Sequence, residues 1–302
     1  MSVQSRPYDP ASDFQRVRDF LIHTYQLTHM PYNWLIERWD YCKHFITKFI
    51  GSGTQHWEAE IRLWENAAGD IVGVVNHEGR LGEAFLQIHP DYRHLEAEMI
   101  AWAEENIYET VDNHRQLSVW IFGDDSHRTE VLQGRGYEHV GISRKFVRSL
   151  QDPIPAAPLP NGYTLRSLRP DDDLAKRCYV MGRAFGSEPL PVEIYQMLQQ
   201  AQGYRLERDL IVEAPDGNFA AFTLVWYEPI SKIGMYEPVG TDPNYQRQGL
   251  GRALLVAGFQ LLRGLGATHV YVGTGTAIPA NRLYESTGFD LCLTEYLWRK
   301  TL

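Results

Sequence analysis

The residues with the clearest chemical use lie in one turn, Val239-Gly-Thr-Asp-Pro-Asn-Tyr-Gln-Arg-Gln-Gly-Leu-Gly-Arg-Ala253. Gly249 and Gly251 carry no side chain to obstruct an anion approaching the backbone, and Gln246, Arg247, Gln248 and Arg252 add donors or positive charge beside it. Before the turn, apolar residues alternate from Ile233 to Val239 as in a strand. After it, Leu250, Leu254, Ala257, Leu261 and Leu265 recur at helical spacing. The first amides of a helix have no partner within it, and the helix dipole favours negative charge there. A strand, a glycine-rich turn and a helix in this order make a cradle for a diphosphate.

Two common nucleotide cradles do not fit. A Walker loop needs Lys and then Ser or Thr after its last glycine, and Gly251 is followed by Arg252 and Ala253. A dinucleotide fingerprint needs a third glycine three residues after the second, and that position is Leu254.

Gln246-Arg247-Gln248-Gly249-Leu250-Gly251 does match Arg/Gln-x-x-Gly-x-Gly/Ala, and in this the chain resembles the GNAT superfamily of N-acetyltransferases, whose acyl-CoA loop has that pattern. The resemblance continues through a strand, His269 to Gly273, to Ala280-Asn-Arg-Leu-Tyr-Glu-Ser-Thr-Gly-Phe289. It implies acetyl-CoA as acyl-donor cosubstrate, and transfer of the acyl group to a primary amine by direct attack on the thioester. Residues Gln246, Arg247, Gln248, Gly249, Leu250, Gly251 and Arg252 would hold the diphosphate.

The resemblance also assigns roles around that loop. Tyr284 matches the tyrosine that gives a proton to the departing thiolate, and a phenol with a pKa of about 10 suits that task. A tyrosine packed on the glycine loop is the alternative. Glu237 is the strand carboxylate that would take the amine's proton, directly or through water, or anchor the amine; a structural carboxylate is the alternative, and Met235 occupies another of the usual places. Backbone amides around Val239, Gly240 and Thr241 would serve the oxyanion and the pantetheine arm, where the family splays two strands apart. Asn281 would face CoA, or cap a helix over Arg282 to Ser286, or both. Trp226, Tyr227 and Glu228 are weaker candidates for the acceptor pocket.

The elements that position these residues occur twice. Ile88-His-Pro-Asp-Tyr-Arg93 echoes the turn at Thr241 to Arg247, and Val131-Leu-Gln-Gly-Arg-Gly-Tyr137 echoes Leu283 to Phe289. Between the copies, Asp152-Pro-Ile-Pro-Ala-Ala-Pro-Leu-Pro-Asn-Gly162 is a stiff, proline-rich linker. Two GNAT-like domains follow as the expectation: residues 1–150, a linker over 151–162, and an acetyl-CoA-binding domain over 163–302. Each would be α/β (α+β), a mixed and mostly antiparallel sheet flanked by helices. The first copy has Leu95 and Ala97 in place of the two glycines, Glu96 and Glu98 beside them, and Leu132 at the place of Tyr284. It is expected to be degenerate as a CoA site.

Helical spacing predicts helices over Ala11 to Tyr25, capped by Ser12, and over the aromatic-rich stretch Pro31 to Phe49, whose rings are read as core more than as a ligand pocket. Gly51-Ser-Gly53 breaks the chain before strands over His56 to Trp64, Ile71 to His77 and Ala84 to Ile88. Asp171-Asp-Asp173 reads as the start of a helix, since consecutive acids do not converge on one metal ion.

Composition bounds the partners. The 302 residues are 44% apolar and 22% charged, enough for two globular cores. A net charge of -9 disfavours nucleic acid and anionic membrane as partners. Cys42, Cys178 and Cys292 lack the spacing of a zinc site or a disulfide framework, so no metal is expected. Met1-Ser-Val-Gln-Ser-Arg-Pro7 has no signal-like apolar core, and no run approaches the ~18 apolar residues of a membrane span. A cytoplasmic monomer or homodimer acting on a small-molecule or peptide amine is expected. A non-catalytic acyl-CoA sensor is the alternative.

Overall fold

A computed structural model describes residues 2–49, 57–170 and 173–302. The Gly51–Gly53 break, His56, Asp171 and Asp172 lie outside the described residues. The first half runs β1 (Val3–Pro7), α1 (Asp13–Thr28), α2 (Ile36–Tyr41), α3 (Thr47–Phe49), β2 (Arg62–Asn66), β3 (Ile71–Asn76), β4 (Glu83–Ile88), α4 (Glu96–Asn106), β5 (Glu109–Val111), β6 (His114–Phe122), α5 (Ser126–Gly134) and β7 (Glu138–Ser149). The second runs β8 (Thr164–Ser167), α6 (Leu174–Phe185), α7 (Val192–Leu198), β9 (Asp209–Glu213), β10 (Phe219–Glu228), β11 (Ile233–Thr241), α8 (Leu250–Gly264), β12 (His269–Thr274), α9 (Ile278–Ser286) and β13 (Leu291–Thr301).

Two compact units result, and their bounds differ from those of the sequence copies: residues 1–143 with 294–302, and residues 144–293. The difference is a strand. In the first unit the C-terminal β13 pairs antiparallel with β6, from Glu295 opposite Phe122 to Thr301 opposite Gln116. In the second unit the later part of β7 pairs antiparallel with β12, from Ser149 opposite His269 to Arg144 opposite Thr274. The later part of each sequence copy's last strand therefore belongs to the other's unit.

Within each unit the sheet is antiparallel except at one place. In the first unit β4 runs parallel to β6 only at Glu83–Ser118 and Ala84–Val119. In the second, β11 runs parallel to β12 from Ile233–His269 to Tyr236–Val272, and among the described residues no strand pairs with that edge of β11 beyond Tyr236. A bulge in β11 sits at this point, where Thr223 of β10 faces Val239 and Val225 faces Tyr236.

The duplication extends to partly buried ion clusters. In the first unit Arg6 bonds Asp13 at 2.6 Å and Glu65 at 2.7 Å, and Asp13 also accepts the Asp9 amide at 2.8 Å. In the second, Arg166 bonds Asp173 at 2.6 Å and Glu213 at 2.8 Å, and Asp173 accepts the Arg169 amide at 2.8 Å. Each cluster ties a first strand to a first helix and the following strand. The expected helix-start residues do not cap: neither Ser12 nor Asp173 makes a side-chain cap bond, Ser12 donating to Asp9 and Asp173 being engaged by Arg166.

Most of the aromatic stretch is core, as the spacing suggests: Trp39, Tyr41 and Phe45 are buried, and Tyr32 and Trp34 are half-buried. It is not one helix from Pro31 but α2, a π-helical turn over Cys42–Ile46, and α3. Trp57–Glu60 is a 3-10 turn rather than the start of a strand, because the Trp57 indole is drawn in to donate to the His77 carbonyl at 2.7 Å. In the second unit α8 packs by close contact on β11: a Cβ at Gly258 would lie 2.4 Å from the Tyr236 hydroxyl, and one at Gly234 would lie 2.4 Å from Leu262. The helix start is thereby fixed at the open end of β11.

Candidate functional site

The turn after β11 is built to leave its amides free. Asp242 caps a 3-10 turn over Pro243–Tyr245 by accepting the Asn244 amide at 2.9 Å. Arg247 and Gly249 then take left-handed backbone conformations, φ 63° and 82°, and α8 begins at Leu250. The first helical bond is donated by Ala253 to the Gly249 carbonyl. Among the described residues no partner is found for the amides of Arg247, Gln248, Gly249, Leu250, Gly251 and Arg252. Six successive free donors at the positive end of a 15-residue helix form an anion cradle. A Cβ at Gly249 would meet nothing within 4 Å, so the space before the amides is open.

The side chains of the turn divide by role. Arg247 and Gln248 are exposed, and Gln248 accepts the Tyr163 hydroxyl at 2.9 Å. Gln246 donates to the Thr241 carbonyl at 3.4 Å, folding back on the strand. Arg252 donates to the Ser286 carbonyl at 2.5 Å, which ties α8 to the end of α9. Leu250 is buried in the core.

The open edge of β11 runs into this cradle. Asp242 donates its amide to the Ala220 carbonyl of β10, so by the alternation of an antiparallel ladder Gly240 also faces β10. Val239 and Thr241 therefore turn their amides to the unpaired edge, and Pro238 has none to give. Gly240 has a different use: a Cβ there would lie 2.4 Å from the Phe222 ring and 2.8 Å from Ala184 of α6. A Cβ at Gly251 would lie 3.1 Å from Leu283 of α9 and 3.8 Å from the Thr241 hydroxyl, so the ends of β11, α8 and α9 converge.

Tyr284 follows Leu283 into this convergence. Its side chain is buried between Phe146 and Phe289, with ring centroids 5.6 Å and 5.7 Å away. Burial raises the phenol's pKa, and the negative charge of Glu237 raises it further. Glu237 lies partly buried at the bulge of β11, its carbonyl accepting the Trp226 indole at 2.8 Å. The structure thus brings together the glycine turn, Val239, Thr241, Glu237 and Tyr284.

Other sequence candidates are placed elsewhere. Asn281 does not cap a helix over Arg282 to Ser286, because α9 begins three residues earlier at Ile278 with Ala277 as its cap residue. Its amide nitrogen donates to the Gly275 carbonyl at 3.0 Å and the Ala277 carbonyl at 2.8 Å, and its oxygen accepts from Arg144 at 2.8 Å. Tyr227 and Glu228 are at the far, hairpin end of β10. The Glu228 carboxylate accepts the Ile230 and Ser231 amides at 2.7 Å and 2.6 Å, and the Tyr227 hydroxyl donates to the Leu265 carbonyl.

The matching places in the first unit are filled from within. The β4 edge that faces its own opening has Asn33 on it: Asn33 accepts the Ile88 amide at 2.8 Å and donates to the Ile88 carbonyl at 3.0 Å. Arg128 donates to the Leu86 carbonyl at 3.3 Å. A 3-10 turn over Pro90–Leu95 runs straight into α4, and Leu95 enters the core. Glu96 does not face the anion path; it is fully buried and accepts from Arg93 at 2.7 Å and Arg128 at 3.1 Å. Leu132 is buried. Asn33 and Arg128 were not singled out by sequence, since nothing local in either stretch signals a bond to a distant strand edge.

Comparison with known proteins agrees with this geometry. Residues 173–289 match the model of the Acetyltransferase (GNAT) family. The chain is 35% identical over 192 residues to the mycothiol acetyltransferase of Thermomonospora curvata, covering 61% of this chain and 63% of that protein. It is 30% identical over 282 residues to the mycothiol acetyltransferase of Geodermatophilus obscurus, covering 80% of this chain and 87% of that one. A solved tandem GNAT protein from the clavulanic acid biosynthesis pathway has the same fold, with a TM-score of 0.65 at 14% identity over 99% of this chain and 98% of that chain. The converging strand edge, glycine turn and tyrosine helix, with a relative matched over most of its length, establish that this chain belongs to the GNAT acetyltransferase family.

Proposed function

We propose that the chain is an acetyl-CoA-dependent N-acetyltransferase that acts through its second unit on a primary amine of a small molecule or peptide. The observation that carries this reading is the meeting of the six free amides of Arg247 to Arg252 with the unpaired edge of β11, beside Glu237 and Tyr284. Acetyl-CoA, when bound, supplies an acyl thioester. The cradle amides, with Arg247 and Arg252 nearby, would hold its diphosphate. The Val239 and Thr241 amides would pair with an extended arm along the open edge and donate to an oxyanion there. Glu237 would take the amine's proton or direct a water that does. Tyr284, kept protonated by burial and by Glu237, would give a proton to the thiolate.

The relatives' name makes the amine used by mycothiol acetyltransferases the first acceptor to assay. Among the described residues no helix is long and apolar enough to cross a membrane, and a cytoplasmic site of action is part of the proposal. Calorimetric titration with acetyl-CoA, on the native chain and on Gly249→Glu, tests the reading. One site per chain, abolished by the substitution, is expected, followed by mass-spectrometric detection of acetylated amine. Absence of binding would overturn it, and binding without transfer across a broad amine panel would make the chain a sensor.

A further inference from the structure

The helix that carries Tyr284 is short, and a nine-residue helix has little stability of its own. One strand face holds it. Arg144, Phe146 and Arg148 alternate along β7 and so point to the same side of the sheet. Arg144 donates to the Asn281 side-chain oxygen at 2.8 Å, in the first turns of α9. The Phe146 ring lies tilted against the Tyr284 ring, centroids 5.6 Å apart, in the last turn of α9. Arg148 donates to the Gly288 carbonyl at 2.5 Å, just past the end. The strand touches the helix in its first half, in its last turn and just past its end.

Arg144 is the contact nearest the start of the helix. It pairs with Thr274 at the last residue of β12, where the loop to α9 starts. Asn281, only 5% exposed, spends both amide hydrogens on the carbonyls of Gly275 and Ala277 in that loop. Its oxygen faces Arg144. Without the guanidinium, a nearly buried amide loses the partner that fixes which way it points. The loop and the first turn of α9 then lose their common tie, and Tyr284 lies one turn farther along.

We propose that Arg144 is a positioning residue for acyl transfer: it acts through Asn281 to hold the helix that presents Tyr284. The proposal rests on the acetyltransferase reading for the role of Tyr284, and it means that a strand from the first sequence copy helps complete the site of the second unit. Phe146 and Arg148 serve the same clamp but are packed into the core, where substitution also costs folding.

Full-length Arg144→Met tests it, with Arg144→Lys as the conservative variant. Hydrogen exchange over Ile278–Ser286 is expected to quicken by about tenfold or more in Arg144→Met, with α8 unchanged. The kcat should fall by about tenfold while KM for acetyl-CoA stays within about threefold, because the cradle is untouched. Arg144→Lys should recover part of the loss. In a Tyr284→Phe background Arg144→Met should cost little more, since the group it positions is gone. Unchanged exchange in α9, an equal loss in both backgrounds, or a raised KM with intact kcat would each overturn the proposal. Should Arg144→Met not fold, Arg144→Gln carries the same measurements. No transfer by the native chain would overturn the acetyltransferase reading, whereas intact transfer with unchanged α9 exchange overturns only the role of Arg144.

Discussion

Tyr284 on α9 and Glu237 on β11 form an electrostatically linked pair: burial raises the pKa of the phenol, and the carboxylate across the opened strand edge raises it again. In the proposed role of Tyr284 as proton donor the phenol must be protonated, so the sign of this shift extends its working range upward. The pH profile of kcat should rise as the amine loses its proton and show no descending limb up to about pH 10, the ordinary tyrosine value. Tyr284→Phe should lower kcat by about 10²–10⁴-fold with the Kd for acetyl-CoA nearly unchanged. In Glu237→Gln the descending limb should move to lower pH, because one of the two causes of the shift is removed. A descending limb near neutrality in the native chain that vanishes in Tyr284→Phe would contradict the assignment.

The two cradle glycines should respond differently. Gly249 needs its left-handed backbone, φ 82°, but a side chain there has room. Gly249→Ala should therefore bind acetyl-CoA more weakly through strain of roughly 1–2 kcal/mol, while Gly249→Glu should not bind at all. Gly251→Ala brings a Cβ to 3.1 Å from Leu283, so its effect should be seen in kcat, through displacement of α9, more than in Kd. Calorimetry beside steady-state kinetics separates the two. The stoichiometry should be one per chain, since Asn33 and Arg128 already occupy the matching strand edge in the first unit.

The pattern of success in reading the sequence follows from how local each signal is. The glycine turn, its flanking strand and helix, and the Asn281-x-x-Tyr284 segment are contiguous, and their roles depend on backbone geometry that short stretches dictate. Glu237 was legible as the carboxylate of the segment Ile233 to Val239, but the bulge that leaves it partly buried was not. Nor was strand exchange, because the alternation of β7 says that it is a strand but not which sheet edge it joins. For the same reason Arg144 and Phe146 looked like parts of the first copy. β2 begins later than the strand expected from His56, because Trp57 belongs to a turn held by its bond to the distant His77 carbonyl. Asn281 was half legible: its position marks α9, but Arg144 decides where its amide points.

Close packing of α8 on β11 makes a stability prediction that the cradle does not share. A methyl at Gly258 would fall 2.4 Å from the Tyr236 hydroxyl, which is itself fixed by a bond of 2.5 Å to the Leu255 carbonyl. Gly258→Ala should destabilise the second unit by about 1–3 kcal/mol. Gly264, at the other end of the same helix, has nothing within 4 Å of an added Cβ, and Gly264→Ala should stabilise by about 0.5–1 kcal/mol. Chemical denaturation of both variants checks the pair. The reverse order would mean that α8 is not held at the distance Gly258 permits.

The duplicated ion clusters predict how stability changes with acid. Burial alone would raise the pKa of Asp13, but hydrogen bonds from Arg6, from the Asp9 amide and from Arg16 outweigh it and bring the carboxyl down to about 2 from an ordinary 3.8. A carboxylate whose folded pKa is depressed stabilises the fold above its unfolded pKa and loses that contribution as pH falls through its folded value. Asp13→Asn should therefore cost on the order of 1–2 kcal/mol near neutrality. The gap between native chain and variant should begin to narrow below an ordinary 3.8 and close toward about 2. Asp173, also lowered against its burial by Arg166 and the Arg169 amide, should behave alike in the second unit. Urea unfolding monitored at several pH values would show the convergence. A gap independent of pH would mean that these aspartates stabilise the helix starts by packing and neutral hydrogen bonds, with their charge contributing nothing.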